Sequence, residues 1–205
     1  MSDSARWVLA SHNQGKLREI QALFQELPVE LQNAGELGLP EPEETGTTFE
    51  ANAELKAVAA AQATGLVALS DDSGVEVHAL GGEPGVYTAN WAGPKRDFAV
   101  ARQRVEDRLQ ELGDDVSRRA TYVCVFCVAW PDGRTRCFRG NTYGTLVWPI
   151  RGTLGFGFEP MFLPDGYAIT YGEMQPEQRA RVNARAQAMR RLREALFSPR
   201  ANADT

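Results

Sequence analysis

Histidine is almost absent from this 205-residue chain, with only His12 and His78, so neither a histidine metal centre nor a Ser-His-Asp triad has much material to draw on. Cysteine is scarce and odd in number: Cys124, Cys127 and Cys137. Without a secretory signal, that usage favours a reducing compartment over a disulfide framework. The apolar run Trp7 to Ala10 is too short for a signal peptide. No stretch approaches the roughly 20 apolar residues of a membrane span. Cytoplasmic residence is therefore expected, with no membrane partner. An excess of positive charge is lacking too. With 22 basic against 27 acidic residues the net charge is −5, which argues against a nucleic-acid surface but not against a single nucleotide met by a local basic cluster. Hydrophobic residues make up 43% and charged residues 24%, ordinary for a globular chain long enough to bury a core unaided.

What is present reads as alternating strands and helices. Trp7 to Ala10 predicts a buried strand, followed by the polar loop Ser11 to Lys16 and a helix on Leu17, Ile20, Leu23, Phe24 and Leu27. Val29 to Ala34 suits a second strand. After the acidic loop Glu41 to Gly46, Thr47 and Glu50 fit a capping box, so Phe49 to Thr64 is predicted helical and closed by Gly65. Leu66 to Leu69 predicts a strand leading into a second polar loop, Ser70 to Gly74. Phe98 to Leu112 has one apolar helical face, with Glu106, Asp107 and Glu111 assigned to its solvated side. Ala120 to Trp130 and Thr142 to Trp148 predict a hairpin through Pro131-Asp132-Gly133. Gly152 to Pro160 is a glycine- and aromatic-rich loop. A last helix begins near Pro176 and carries an apolar face from Val182 to Leu196, and Ser198 to Thr205 is expected to fray. There is no internal repeat and no linker, so residues 1–205 are expected to form one α/β domain with a mixed sheet flanked by helices.

In such folds ligands bind beyond the carboxyl ends of strands, which makes the three polar loops the candidates. The first sets Asn13 and Lys16 at a helix N-terminus, where N–H groups and the dipole favour an anion; it is not a Walker loop. The second carries Asp71 and Asp72, whose side chains should point in different directions along an extended chain, so that one faces a ligand while the other braces. With Glu43 or Glu44 they offer hard oxygen ligands suited to magnesium, and a carboxylate there can also orient or deprotonate a water. The third offers Phe156 or Phe158 for stacking on a base, against the alternative of core packing. Cys124 and Cys127 have metal-ligand spacing but lie in an apolar strand with no second Cys or His pair, so they read as buried thiols.

Taken together these stretches resemble the inosine triphosphate pyrophosphatase family, which acts on non-canonical purine nucleoside triphosphates. The matching stretches are Val8 to Lys16; Glu43 to Phe49 with Asn52 and Lys56; Asp71 to Val75; Ala79 to Tyr87; Gly155 to Phe162; Gly172-Glu173-Met174; and Arg185. They run in the family's order from about Trp7 to Leu196. The resemblance implies an elongated fold of two lobes with a nucleotide cleft between them, usually a homodimer. It implies magnesium-dependent cleavage of the α–β phosphoanhydride to a monophosphate and pyrophosphate. By position, Ser11, Asn13 and Lys16 would hold phosphates, Glu43 and Asp72 the metal, and Ser73 the substrate. Asp72 and Lys16 would be catalytic. Phe156, Gly157, Phe158, Glu159, Arg179 and Arg185 would surround the base.

Departures from the family pattern gather at that base-reading half. Glu159 stands for aspartate, Arg179 for lysine, Asn183-Ala184-Arg185 for Ser-His-Arg, and Thr88-Ala89-Asn90 for Ser-Ala-Arg. A lost polar partner at the base shifts discrimination by about 1–3 kcal/mol. The alternatives to dITP/XTP-type hydrolysis are therefore a shifted base preference and a nucleotide-binding paralogue with impaired catalysis.

Overall fold

The computed structural model describes residues 5–198, so most of the tail expected to fray lies outside the described residues. Strand β1 (Ala5–Leu9) ends in Trp7-Val8-Leu9, all buried, as a strand covered on both faces requires. The chain then forms α1 (Gln14–Phe24), β2 (Val29–Asn33), α2 (Phe49–Thr64), β3 (Val67–Val77), the two-residue β4 (Pro84–Gly85), α3 (Phe98–Glu111), β5 (Arg119–Ala129), β6 (Thr135–Leu146), β7 (Phe162–Pro164), α4 (Pro176–Val182) and α5 (Ala184–Leu196). The seven-stranded sheet runs β2-β1-β3-β5-β6-β7, with β4 on β3. It is mixed: β1 is parallel to β2 and β3, while β3–β4 and β6–β7 are antiparallel. The expected α/β class with a mixed sheet is what the chain adopts.

The chain gathers into two compact units. One takes in the chain up to Asp72, Val125–Arg139 and the chain from Gln187; the other comprises Ser73–Cys124 and Gly140–Ala186. The first centres on Leu9, Ile20, Phe24, Leu69, Phe126 and Leu192. The second centres on Val105, Leu146, Phe158, Phe162, Tyr171 and Met174.

Several local expectations are corrected. Thr48, not Thr47, caps α2: its hydroxyl accepts from the Ala51 N–H, while Glu50 pairs with Arg139 at 3.1 Å. The polar run Ser70 to Gly74 is no loop but the middle of β3, because pairing inside a sheet overrides the weak strand preference of Asp, Ser and Gly. The return strand begins at Thr135 rather than Thr142. The last helix is broken at Asn183, whose backbone is extended and whose side chain accepts from the Ala186 N–H at 2.8 Å, starting α5. Glu106 is not solvated: it is 3% exposed and paired with Arg118, which also donates to the Leu146 carbonyl.

Gly152 has φ +84°, and a Cβ there would overlap the Gly172 carbonyl. Gly133 has φ +87° with open space around it. In urea unfolding, Gly152→Ala is expected to cost at least about 2 kcal/mol and Gly133→Ala only about 1 kcal/mol. Equal costs would show that the close approach of residues 152 and 172 does not matter to the fold.

Candidate active site

The expected site residues divide between the two units. Ser11, Asn13, Lys16, Glu43 and Asp72 belong to the first, whereas Ser73, Phe156 to Glu159, Arg179 and Arg185 belong to the second.

In the first unit the centre is β3. Its position inside the sheet buries Ser70, Asp71 and Asp72, the two aspartates at 2% and 5% exposure. Buried carboxylates need partners, and both aspartates have them. Asp71 Oδ2 lies 3.0 Å from Lys16 Nζ. Asp72 Oδ2 accepts from Asn52 Nδ2 at 3.3 Å, and its Oδ1 is 3.8 Å from Lys56 Nζ. Helix α2 delivers both of those partners, one helical turn apart on one face. Lys56 continues to Glu44 Oε1 at 2.5 Å, and Asn52 Oδ1 accepts from the Gly46 N–H at 2.8 Å, so the acidic loop is strapped to the same network. A Cβ on Gly46 would lie 2.6 Å from Asn52 Oδ1, which leaves only glycine room there. In the acidic loop Glu44 is tied in by Lys56, whereas Glu43, the expected metal-side carboxylate, is exposed.

Asn13 caps α1, its Oδ1 accepting from the Gly15 and Lys16 N–H groups at 2.9 and 3.2 Å. Its amide Nδ2, the Lys16 ammonium and the Ser11 hydroxyl are the donors to be offered to an anion. Ser11 is buried and accepts from the Asn13 N–H at 3.4 Å.

The sequence gives Asn52 and Lys56 no role beyond the family match, and nothing in it pairs Lys16 with Asp71. One signal was available: only three of the 22 basic residues are lysines, and two of them stand here. A lysine is a compact charge on a flexible stem, suited to phosphate and to a buried carboxylate.

Burial pushes the Asp72 carboxyl up to about 6; Lys56 and Lys16 oppose that, and Glu44 and Asp71 add to it. Lys56 is also raised: burial pulls it down, but Asp71, Asp72 and Glu44 outweigh burial. Three carboxylates thus share two ammonium groups, and at Asp72 burial outweighs both of them. Among the described residues no group of three His, Cys, Asp or Glu side chains stands ready to enclose a metal.

In the second unit the glycine-rich loop splits its two aromatics. Phe158 is 0% exposed and belongs to the core, so its ring is withdrawn from any ligand and only its backbone remains. Phe156 is 62% exposed and stands edge-on to Phe98 at 4.6 Å. Arg102 donates to the Gly157 carbonyl at 2.5 Å. Glu159 and Arg179, both departures from the family pattern, are partners: Oε1 lies 3.1 Å from the Arg179 Nε, and Oε2 accepts from the Phe156 N–H. A Cβ on Gly155 would overlap that carboxylate. Thr88 keeps the hydroxyl of the serine it replaces, accepting from the Val75 N–H and donating to the Gly85 carbonyl. Asn183 keeps the capping role open to serine. Ala184 is buried and supplies no polar group, and nothing in the structure explains Asn90.

A carboxyl whose folded pKa is raised binds its proton more tightly in the folded than in the unfolded chain, so stability falls as pH rises from about 4 to about 6 and the penalty, about 3 kcal/mol, is complete above that. In metal-free protein, Asp72→Asn is expected to raise the melting temperature at pH 7.5, by a margin that shrinks as pH falls toward about 4. A neutral or lowered melting temperature at pH 7.5 would contradict the burial argument.

Residues 7–195 match the model of the Ham1 family. The dITP/XTP pyrophosphatase of Brucella melitensis is 56% identical over 184 residues, covering 87% of this chain and 84% of the relative. That of Bartonella quintana is 50% identical and covers 95% and 97%. Among solved structures, a HAM1 protein from Coxiella burnetii superposes with a TM-score of 0.88 at 36% identity, covering 94% of this chain and 98% of that one. A nucleoside-triphosphatase / dITP/XTP pyrophosphatase from Mycobacterium abscessus gives 0.76 at 33% identity, covering 94% and 100%. The order of motifs, the mixed sheet and these matches agree, and the chain belongs to the Ham1 family.

Proposed function

We propose that this chain hydrolyses non-canonical purine nucleoside triphosphates of the dITP/XTP type to the monophosphate and pyrophosphate, clearing them from the nucleotide pool. The relatives carry that activity in their names, and the observation that carries the reading here is the buried Asp72 held between Asn52 and Lys56 beside the Lys16–Asp71 pair. In this reading Ser11, Asn13 and Lys16 hold the phosphates. Phe156, with the Gly157 and Phe158 backbone, Glu159, Arg179 and Arg185, surrounds the base, and Ser73 touches the substrate. Homodimer assembly and cytoplasmic residence belong to the same reading and rest on the family resemblance and cysteine usage.

The donor set suits magnesium. A triphosphate brought to three carboxylates and two lysines needs added positive charge, and magnesium takes one or two carboxylates with substrate phosphates and water. Asp72 would hold it, with Glu43 or Glu44 alongside. When bound, the ion supplies charge neutralisation at the phosphate oxygens. In the other role open to it, Asp72 would orient or deprotonate a water aimed at the α-phosphorus. Lys16 stabilises charge gathering on the phosphates.

The structure bears on the impaired-paralogue alternative through the base-reading half. Glu159 and Arg179 compensate each other, which favours an adjusted site over a decayed one. At fixed magnesium, pyrophosphate release from XTP, ITP and dITP is expected to exceed release from canonical triphosphates. Tight binding without turnover across that panel would favour the impaired paralogue instead. Glu159→Asp and Arg179→Lys are each expected to lower kcat/KM, and the double variant to recover part of the loss, with a coupling of about 1–2 kcal/mol. Strictly additive losses would show that the two residues act apart.

A further inference from the structure

The hairpin formed by β5 and β6 carries a feature that the hydrolytic site does not use. Its closing bonds run from the Trp130 N–H to the Arg134 carbonyl at 2.9 Å and from the Gly133 N–H to the Trp130 carbonyl at 3.0 Å. Residues 130 and 134 are therefore opposite each other, and three steps along each strand bring Cys127 opposite Cys137. Hydrogen-bonded and non-hydrogen-bonded pairs alternate in an antiparallel ladder, so this third pair is non-hydrogen-bonded, with Cα atoms about 4.5 Å apart and side chains on one face. A disulfide spans Cα separations of about 4.4–6.8 Å. Each thiol is the leading influence on the other's ionisation.

The pair is also asymmetric. Cys127 is buried and Cys137 is exposed. The Cys127 hydrogen bond holds the Cys137 thiol below its usual range, against burial and the carboxylates of Glu54 and Glu50. The same hydrogen bond, with burial, raises Cys127. Cys137 thus has the marks of an attacking thiol, and Cys127 those of a resolving one. On β6, Thr135 and Arg139 flank Cys137 and are held by Glu54 and Glu50 of α2 at 2.6 and 3.1 Å, which keeps this stretch of strand in place while the sulfur faces solvent.

We propose that Cys127 and Cys137 form a thiol modification site that reacts with low-molecular-weight disulfides of the glutathione class and closes to a reversible cross-strand disulfide. The Cys137 thiolate attacks one sulfur of the small disulfide. A mixed disulfide forms, the small disulfide's S–S bond breaks, and one small thiolate leaves and takes up a proton. Cys127 then loses its proton and attacks the Cys137 sulfur. The Cys127–Cys137 bond forms, the mixed disulfide breaks, and a second small thiol leaves with that proton. The two cysteine sulfurs are oxidised by two electrons in all, and the small disulfide is reduced to two thiols.

The test is to titrate the folded, reduced full-length protein with oxidised glutathione, then alkylate free thiols and measure intact mass and a peptide map. The expected product has lost two hydrogens, carries no glutathione, links the peptides of Cys127 and Cys137, and reverts with dithiothreitol. Cys137→Ser should not react, and Cys127→Ala should stop at a glutathione adduct on Cys137. If the variants do not fold, the wild-type peptide map decides alone. A wild-type protein that stops at the glutathione adduct, or whose Cys137 reacts only after unfolding, would overturn the proposal.

Discussion

Burying Asp72 in the middle of β3 is the constraint on which the rest of the candidate site depends. A carboxylate at that depth must be answered by donors, and α2 answers with Asn52 and Lys56. Those two side chains in turn fasten the acidic loop, one through the Gly46 N–H and the other through Glu44. Asp71 takes Lys16 from the start of α1. One buried run of three polar residues thereby orders two helix starts and a loop. Burial keeps the Asp72 carboxyl raised to about 6 in spite of both lysines.

Much of this was legible in the chain before its fold was known. The strand-loop-helix order around Asn13 and Lys16, the helix from Phe49 to Thr64 with Gly65 as its stop and the apolar face of α3 follow from local periodicity and capping, which are short-range effects. What local reasoning missed depends on distant partners. Ser70 to Gly74 reads as a turn because its residues dislike strands, and only its neighbours in the sheet make it β3. Glu106 reads as solvent-facing because no sequence rule brings Arg118 beneath it. Lys16 and Asp72 were identified as site residues, but the pairing of Lys16 with Asp71, and the part played by Asn52 and Lys56, required the sheet to set α2 beside β3.

The departures from the family pattern also change meaning in three dimensions. Read along the chain, they suggest a base-reading half that has drifted. In the structure Glu159 and Arg179 are one ion pair that also holds the Phe156 backbone, Asn183 caps α5, and Thr88 keeps a bridging hydroxyl. Ala184 alone, among those with an assignable role, removes a polar group without replacing it. The chemistry of phosphate release is therefore expected to be ordinary for the family, with any change confined to how the purine edge is read.

The most direct measurement is pyrophosphate release from XTP by wild-type protein and Asp72→Asn at saturating magnesium and pH 7.5. The account predicts robust wild-type turnover and a loss of at least about 100-fold in kcat for the variant, as expected when a proton-transfer group is removed. A variant that retained activity within a few fold of wild type would contradict it.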